Sequence, residues 1–599
     1  MVESHRTVLY STCAWQLALA LIFRTVSAQT TTSRYLSIPQ SPKFELRAVW
    51  VTTVGGLDWP KSMNAEEQQR SLREIVQQVK AAHFNTIFFQ ARGRADAMYK
   101  SRYEPWSMNL TGQWGRDPGW DPLRFLLDEA HTEGIEVHAW FNTFIVKTGG
   151  STISIPEHIM NIHPDWVKRV NDEWWLDPGL PQVRAYLLKV AMDIVRSYPV
   201  DGIQFDFMRY PGPKFPDDVS YQRYGEGVPR DQWRRNNINT FIAAVYDSVK
   251  AVNRMIKVGA TPIGIYANIP NGNGLESFAS LYQDSRSWLR DHNVDYLVPQ
   301  VYWSLGTSPG NPDFETIVND WVSNTSGRQV SIGIGAYKPD VFKQIPQLID
   351  VCRAEGATGV SFFRLEHISQ WWRVGERFLD YAIVPPMPWK DQVPPASPSG
   401  LRVEEAGEGR FSVRWSRSTH ASDGDLAKRY VVYRSPSQPV DISDAANIAA
   451  IVGSADTSIV DEVLHPVSAR YYYAVTALDK SNNESAPTGH ASVVVSEIAN
   501  LGKRVSLSNA LAEHAWGGAS LVMIPFETNE WSTVRLEVLD SSGAAVKDVV
   551  DDIRPAGRYV ESVDVSEWLN GLYLVRLNIG NSLHTRPLRV PNEHPRFGR

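Results

Sequence analysis

The sequence predicts a (β/α)8 barrel followed by two small all-β sandwich domains, and three observations lead there. From about residue 44 to 384, short apolar runs alternate with stretches of helical periodicity. Residues 385–399, PPMPWKDQVPPASPS, break that pattern with proline. Beyond them the texture changes to short alternating strands separated by turn residues. A chain of 599 residues also exceeds what one hydrophobic core holds, so several domains are expected.

Residues 1–28 read as a signal peptide. His5 and Arg6 give a basic start, residues 8–23 are mostly apolar, and Val26-Ser27-Ala28 offers a small-residue cleavage site before Gln29. The apolar run is too short and too interrupted for a membrane span. Export to the periplasm, cell surface or medium is therefore expected, with no integral span once the signal is removed. The two cysteines are Cys13 and Cys352. With Cys13 lost alongside the signal, no intramolecular disulfide is possible. Cys352, in the helix-like IDVCRAEGA, is expected to be a buried structural thiol.

In the 44–384 region eight runs have strand character: 45–52 (ELRAVWVT), 85–91 (NTIFFQA), 135–142 (IEVHAWFN), 202–207 (GIQFDF), 257–265 (KVGATPIGI), 294–303 (VDYLVPQVYW), 329–337 (QVSIGIGAY) and 359–365 (GVSFFRL). Between them lie helical stretches at 65–83, 121–134 and 181–198. On the first, Ile75, Val79 and Ala82 recur at helical spacing, and Gly134 sits at a helix C-cap directly before a strand. Eight alternations argue for a parallel barrel. The region is longer than the ~250 residues typical of such barrels, which assigns 142–180 and 208–240 to long loops on the active face.

Residues 385–399 read as a semi-rigid linker without a core of its own. Residues 400–497 contain LRVEEA, FSVRWS, RYVVYR, ARYYYAVTALD and HASVVV, which resemble a fibronectin type III domain. Residues 500–599, with the pattern LDSSG, PAG and NGLYLVRL, resemble the Ig-like modules that some bacteria append to secreted proteins as sorting signals.

The net charge of −6 gives no reason to expect nucleic acid or an anionic membrane as partner. The 21 Trp and 23 Tyr include residues suited to stacking on sugar rings. No Cys/His cluster has metal-ligand spacing, so no metal and no cofactor are expected. Oligomeric state is left open.

Chemistry in a (β/α)8 barrel lies at the C-terminal ends of the strands and in the loops that follow. That rule selects Gln90, Arg92 and Asp96 after the second strand, His138, Trp140 and Asn142 on the third, and Asp206, Arg209 and Tyr210 after the fourth. It also selects Gln300, Tyr302 and Trp303 after the sixth, Tyr337 after the seventh, and Arg364, Glu366 and His367 after the eighth. Carboxylates, amides and flat aromatics together suit glycosidic bond cleavage, in which one acid protonates the leaving oxygen and a second carboxylate is nucleophile or base. Asp206, Glu366 and Asp96 are the catalytic candidates. The remaining residues, from Gln90 to Trp303, are candidates for holding substrate. His138 lies mid-strand, where a hydrogen-bonded structural histidine is the plainer expectation. Glu366 beside Arg364 could serve as an ion pair, and Asp96 could serve as a turn cap.

The segments ELRAVWVTT with LDWP (45–60), QARGRADAMYKS (90–101), PGWDPLRFLLDEAHTEGIEVHAWFN (118–142), HPDWV (163–167), WLDPGLPQVRAYLL (175–188), DGIQFDFMRYP (201–211) and PQVYW (299–303) resemble, in order, the glycosyl-hydrolase-like 10 family. The resemblance covers essentially the whole barrel. It implies a secreted or periplasmic glycoside hydrolase acting on a cell-wall glycan, peptide-free peptidoglycan strands, or on a related polysaccharide. The chain departs from the family pattern at HAWFNTFIV, where a Pro and a basic residue are commonly found after the third strand, and at Phe207 and Met208 after the fourth. Chitinase-type barrels carry D-G-x-D-x-D-x-E on that strand. Here Gln204 replaces the middle Asp and Met208 stands where the acidic Glu would be, so Asp206 needs a partner from elsewhere, or the protein binds glycan without cutting it. Hydrolysis of an environmental polysaccharide and non-catalytic glycan binding are the alternatives.

Overall fold

The apolar runs pair side by side and in parallel, as burial on both faces requires. The computed structural model describes residues 41–590, apart from 151–152, 154, 307–310, 369–373, 375–376, 408–409, 463–469, 495–520, 529–530, 541–543, 556, 566–567, 569–570 and 581. The expected signal peptide and the boundary near residue 500 lie outside the described residues.

The barrel strands are β1 (Leu46–Val51), β2 (Thr86–Arg92), β3 (Glu136–Asn142), β4 (Gly202–Asp206), β5 (Lys257–Ala260), β6 (Tyr296–Leu297), β7 (Gln329–Val330), β8 (Ile332–Ile334) and β9 (Gly359–Phe362). Their order is β7-β6-β5-β4-β3-β2-β1-β9-β8. Ser331 alone separates β7 from β8, and its N–H donates to Leu297 O (3.0 Å). β7 pairs with β6 while β8 pairs with β9, so the two segments are one wall and the ring closes. The eight expected strands are thus present, the seventh being split at Ser331.

Strand alternation sorts the side chains into two cores. Ile203 and Phe205 point outward, into a cluster shared with Leu72, Val76, Leu123, Leu126 and Val190 of the surrounding helices. Trp50, Phe88, Trp140, Tyr296 and Val298 fill the barrel. Gln204 faces inward, where its Oε1 accepts the Trp50 indole N–H (2.7 Å). The helices start where the sequence signals them. The Asn64 side chain caps the helix Ala65–Ala81 by accepting the Glu67 N–H, and Asp121 does the same for Pro122–Thr132 through Arg124. Ile75 and Val79 are buried on the first helix as its periodicity predicts.

Two expectations change. Segment 142–180 carries a small antiparallel sheet, Ile145–Thr148, Val167–Val170 and Glu173–Leu176, and 208–240 holds the helix Asp218–Tyr224 and much of Arg230–Val252. The proline-rich segment is not a free spacer. Val384 and Met387 join the barrel-interior cluster with Leu46, Trp50 and Phe88, and Gln329 Nε2 donates to the carbonyls of Pro385 (3.1 Å) and Pro386 (3.0 Å). Met387 is 2% exposed, so Met387→Ala is expected to lower unfolding free energy by about 2–5 kcal/mol, measurable by denaturant titration.

Among the described residues, seven strands follow. Ser399–Gly407, Arg410–Ser416 and Ser458–Glu462 form one antiparallel sheet; Ile448–Gly453, Arg429–Ser435, Arg470–Leu478 and Ala491–Val494 form the other. Phe411, Val413, Trp415, Tyr430, Val432 and Tyr473 are buried together in one core. The last β unit pairs Leu521–Thr528 with Gly557–Asp564 and builds a four-stranded sheet from Ala545–Arg554, Ser532–Leu539, Gly571–Ile579 and Ser582–Val590. Its core includes Ile524, Phe526, Leu536, Val538 and Leu577. No helix among the described residues is long and apolar enough to cross a membrane. Cys352 is buried, and burial holds its thiol well above the usual range.

The first β unit grips the floor of the barrel. Arg429 Nη2 (2.9 Å) and Asn482 Nδ2 (3.1 Å) donate to Glu136 Oε1, while Lys257 Nζ approaches both carboxylate oxygens (2.8 and 2.6 Å).

Candidate active site

Asp206 ends β4, facing Asn142 at the end of β3. Inward parity places both side chains at the C-terminal mouth, where they line a cleft of about 230 Å³ with Trp50, Thr52, Gln90, Arg94, Trp140, Phe207, Arg209, Gln300, Tyr302, Tyr337 and Phe363. Asp206 is buried, and among the described residues it is the one carboxylate lining the cleft.

Burial pushes the Asp206 carboxyl up to about 6, although the Phe207 N–H and the charges of Arg209 and Arg94 pull it down. Its Oδ1 accepts the Phe207 N–H (2.7 Å) and lies 3.4 Å from Gln300 Nε2. Phe207 has φ +51°, left-handed for a bulky residue. Such strain concentrates at functional positions.

The supporting residues are fixed by their neighbours. Gln90 Oε1 accepts the N–H groups of Thr53 and Val54 (both 2.9 Å), which ties down the loop after β1. Asn142 Nδ2 donates to Gly93 O (2.9 Å). That leaves Asn142 Oδ1 and the Thr52 hydroxyl buried without a hydrogen-bond partner among the described residues, while the Trp140 indole approaches Asp206 and helps to hold its carboxyl down. One acceptor and one hydroxyl, on two residues that line the cleft, therefore have capacity to spare for a hydroxylated ligand. Tyr302 stacks on Phe363 (5.7 Å between ring centroids, 24° between planes), and Tyr337 meets both edge-on. Arg94 and Arg209 lie against the Phe207 ring, 5.4 and 5.2 Å from its centroid. Both are half-buried, and neither forms an ion pair with a carboxylate among the described residues.

Of the residues expected to act here, Gln90, Trp140, Asn142, Asp206, Arg209, Gln300, Tyr302 and Tyr337 converge on the cleft. Eight others, Arg364 and His367 among them, do not line it. Glu366 has a side chain 54% exposed and bonded to Arg364 (2.8 Å). Burial raises its carboxyl, but the hydrogen bond and charge of Arg364, with Lys61 and His367, together outweigh that and hold it below the usual range, the opposite of what a proton donor needs. Asp96 is a turn residue, its Oδ1 accepting the Arg94 N–H (2.7 Å). The β2 register shifts between Gln90 and Arg92, which breaks the alternation and sends Arg92 away from the cleft to pair with buried Glu104 (2.7 Å). His138 faces inward two residues below Trp140, about 7 Å deeper at ~3.3 Å per residue, where its Nδ1 meets the Tyr296 hydroxyl (2.6 Å). The Tyr210 hydroxyl is buried against Asn237 Nδ2 (3.1 Å). Trp303 packs on the outer core beside Gly264.

Sequence reasoning passed over Arg94, Phe207 and Phe363. The signal for Arg94 was the loop GRADAMYKS itself, once the β2 irregularity is known to spend Arg92 on Glu104. Glu173, on the small sheet after β3, also acts electrostatically on both Arg94 and Arg209, while its Oε2 accepts the Trp175 indole N–H (2.9 Å).

Residues 45–350 match the family described as Glycosyl hydrolase-like 10. Glycosyl hydrolase YngK of Bacillus subtilis is 30% identical over 477 residues, 74% of this chain and 92% of YngK. Glycosyl hydrolase DigH of Escherichia coli K12 is 34% identical over 324 residues, 49% of this chain and 73% of DigH. Among solved structures, the glycoside hydrolase domain of PgaB (BpsB) from Bordetella bronchiseptica superposes with a TM-score of 0.41 at 14% identity, covering 55% of this chain and 97% of that domain. The catalytic domain of a Paenibacillus polymyxa β-amylase gives a TM-score of 0.38 at 12% identity, covering 57% of this chain and 98% of that domain. With a family match over half its length and a relative aligned along nearly all of that relative's sequence, this chain belongs to the Glycosyl hydrolase-like 10 family.

Proposed function

We propose that the protein is an exported glycoside hydrolase that cleaves glycosidic bonds in a bacterial cell-wall glycan, peptide-free peptidoglycan strands, with Asp206 as the proton-transferring residue. The observation that carries this is the environment of Asp206, a carboxyl raised to about 6 at the mouth of a barrel, in a cleft with flat aromatic walls. A group poised near neutrality can donate its proton to the leaving oxygen as the bond to the anomeric carbon breaks, and can then accept one from the water that adds to that carbon. Trp140, Tyr302 and Phe363 offer stacking surfaces for the ring. Asn142, Gln300 and Thr52 are placed to orient its substituents. Family membership and relatives named glycosyl hydrolases support the reaction class. The two β units are accessory modules in this reading, the first fibronectin type III-like and the second of sorting type.

The choice of substrate rests on Arg94 and Arg209. Two half-buried guanidiniums that feel Asp206 and Glu173 but form no ion pair with either among the described residues suit a glycan that carries free carboxylates, as peptide-free peptidoglycan does, because an attached peptide would convert that carboxylate into an amide. Arg94→Ala and Arg209→Ala are each expected to raise KM for peptide-free strands about 10–100-fold, the worth of one hydrogen bond to a charged group. Release of new reducing ends from peptide-free peptidoglycan, intact peptidoglycan, chitin oligomers and neutral plant polysaccharides tests the reading. A second reading, binding without cleavage, is favoured by the single carboxylate among the described cleft residues and predicts retention of glycan with no new reducing ends.

A further inference from the structure

Three carboxylates meet where the segment after the barrel crosses the first β unit. Asp391 comes from that segment, and Asp423 and Asp425 come from the loop preceding the strand Arg429–Ser435. One oxygen from each lies within 4.8 Å of the other two. The loop is built to present its pair. The Ala421 N–H donates to Asp425 O (2.9 Å) and the Gly424 N–H to Ala421 O (3.0 Å), with Gly424 at φ +90° in the left-handed region that glycine tolerates.

Acidic residues gather on many surfaces without consequence. What sets this group apart is Asp391. It is 6% exposed, and its Oδ2 is buried with no hydrogen-bond partner among the described residues, while Oδ1 accepts the Val393 N–H (3.0 Å). A buried carboxylate oxygen without a donor is costly unless a cation meets it. None of the three carboxylates forms an ion pair with a side chain among the described residues. The adjacent Lys390 is directed elsewhere, to Met255 O (2.8 Å) and Asp295 (3.5 Å). Negative charge also accumulates behind the group. Asp479 is fully buried, and its carboxyl is pushed up to about 6 by burial, with the charge of Asp391 adding to the shift. Asn483 ties the two together, its Nδ2 donating to Asp391 O (3.2 Å) and Asp479 Oδ2 (2.9 Å).

We propose that Asp391, Asp423 and Asp425 form a calcium site that fastens the segment leaving the barrel to the first β unit. The donors are all oxygen, with no imidazole or thiolate, which selects a hard cation over zinc or copper. Three carboxylates on a loop and a separate segment offer flexible geometry with room for water, which suits calcium better than the strict octahedron of magnesium. The competing account is that Lys428 and Lys480, which line the same hollow as Asp425, supply enough positive charge without a metal.

The test uses the full chain, freed of metal with a chelator and titrated with calcium chloride in a calorimeter, with Tm recorded in parallel. One ion per chain is expected, with a Kd of about 10⁻⁴–10⁻³ M, and a Tm that rises with calcium concentration as binding to the folded state requires. Asp423→Asn, at an exposed position, is expected to fold normally and bind ~10-fold or more weakly, because affinity follows ligand charge. Asp391→Asn is expected to abolish binding; should it fail to fold, Asp423→Asn decides. Absence of heat and of any Tm change up to ~10 mM calcium, tenfold above the weakest such sites, would overturn the proposal. So would a wild-type affinity in Asp423→Asn.

Discussion

Replacing Asp206 with asparagine is expected to slow hydrolysis severely and, at the same time, to stabilise the fold at alkaline pH. Loss of the proton-transferring group should lower kcat/KM by about 10²–10⁴-fold. The stability change has the opposite sign because the carboxyl is buried. Its folded value, about 6, lies above its ordinary 3.8, so the folded state holds the proton more tightly than the unfolded chain does. Stability is therefore lost as pH rises from about 4 through 6, and the full penalty is present above that window. Two pH units correspond to ~3 kcal/mol at most. Asparagine carries no charge to bury, so the variant should exceed wild type in Tm at pH 8 and match it at pH 4. Thermal unfolding at both values, beside an activity assay, separates this outcome from a general folding defect, which would lower Tm at both.

The second large effect lies at the opposite end of the barrel. Glu136 is 1% exposed and is met by Lys257, Arg429 and Asn482. Burial alone would raise its carboxyl, but Lys257 and then Arg429 outweigh that and hold it well below the usual range. Glu136→Ala would leave Lys257 and Arg429 buried without a counter-charge, and is expected to cost about 3–5 kcal/mol. Because the folded carboxyl titrates lower than the unfolded one, the contribution is complete above the ordinary carboxylate range and disappears as pH falls through the lowered value. Arg429 belongs to the first β unit, so Arg429→Ala should weaken the barrel as well as its own unit, and the two should unfold together in wild type. A loss below ~1 kcal/mol for Glu136→Ala in guanidinium titrations, the ordinary effect of a substitution, would contradict this view of the junction.

The barrel was legible in the sequence because its signals are local. Runs such as IEVHAWFN and GIQFDF alternate at period two, and Asn64, Asp121 and Gly134 mark helix ends through short-range hydrogen bonds and backbone geometry. The strand-end rule found Asp206, Trp140, Asn142 and Gln300 for the same reason, since inward parity holds along β3 and β4. It missed where parity fails or where a long-range partner decides. Arg92 leaves the cleft at a register shift and is claimed by Glu104, twelve residues on. Glu366 is turned to the surface by Arg364 and Lys61. The proline-rich segment looked like a spacer because proline content says nothing about what it packs against, and Met387 finds its pocket among residues of β1, β2 and β3. The calcium site joins residues 391, 423 and 425 by folding alone; no single stretch of sequence displays it.

Whether Asp206 transfers a proton during glycan cleavage is tested most directly by a pH profile of reducing-end release from peptide-free peptidoglycan. Wild-type kcat/KM should fall as pH rises past about 6, as the acid loses its proton, and Asp206→Asn should release reducing ends about 10²–10⁴-fold more slowly, without that fall. Full activity in that variant, or a wild-type protein that binds the strands and releases no reducing ends, would contradict it.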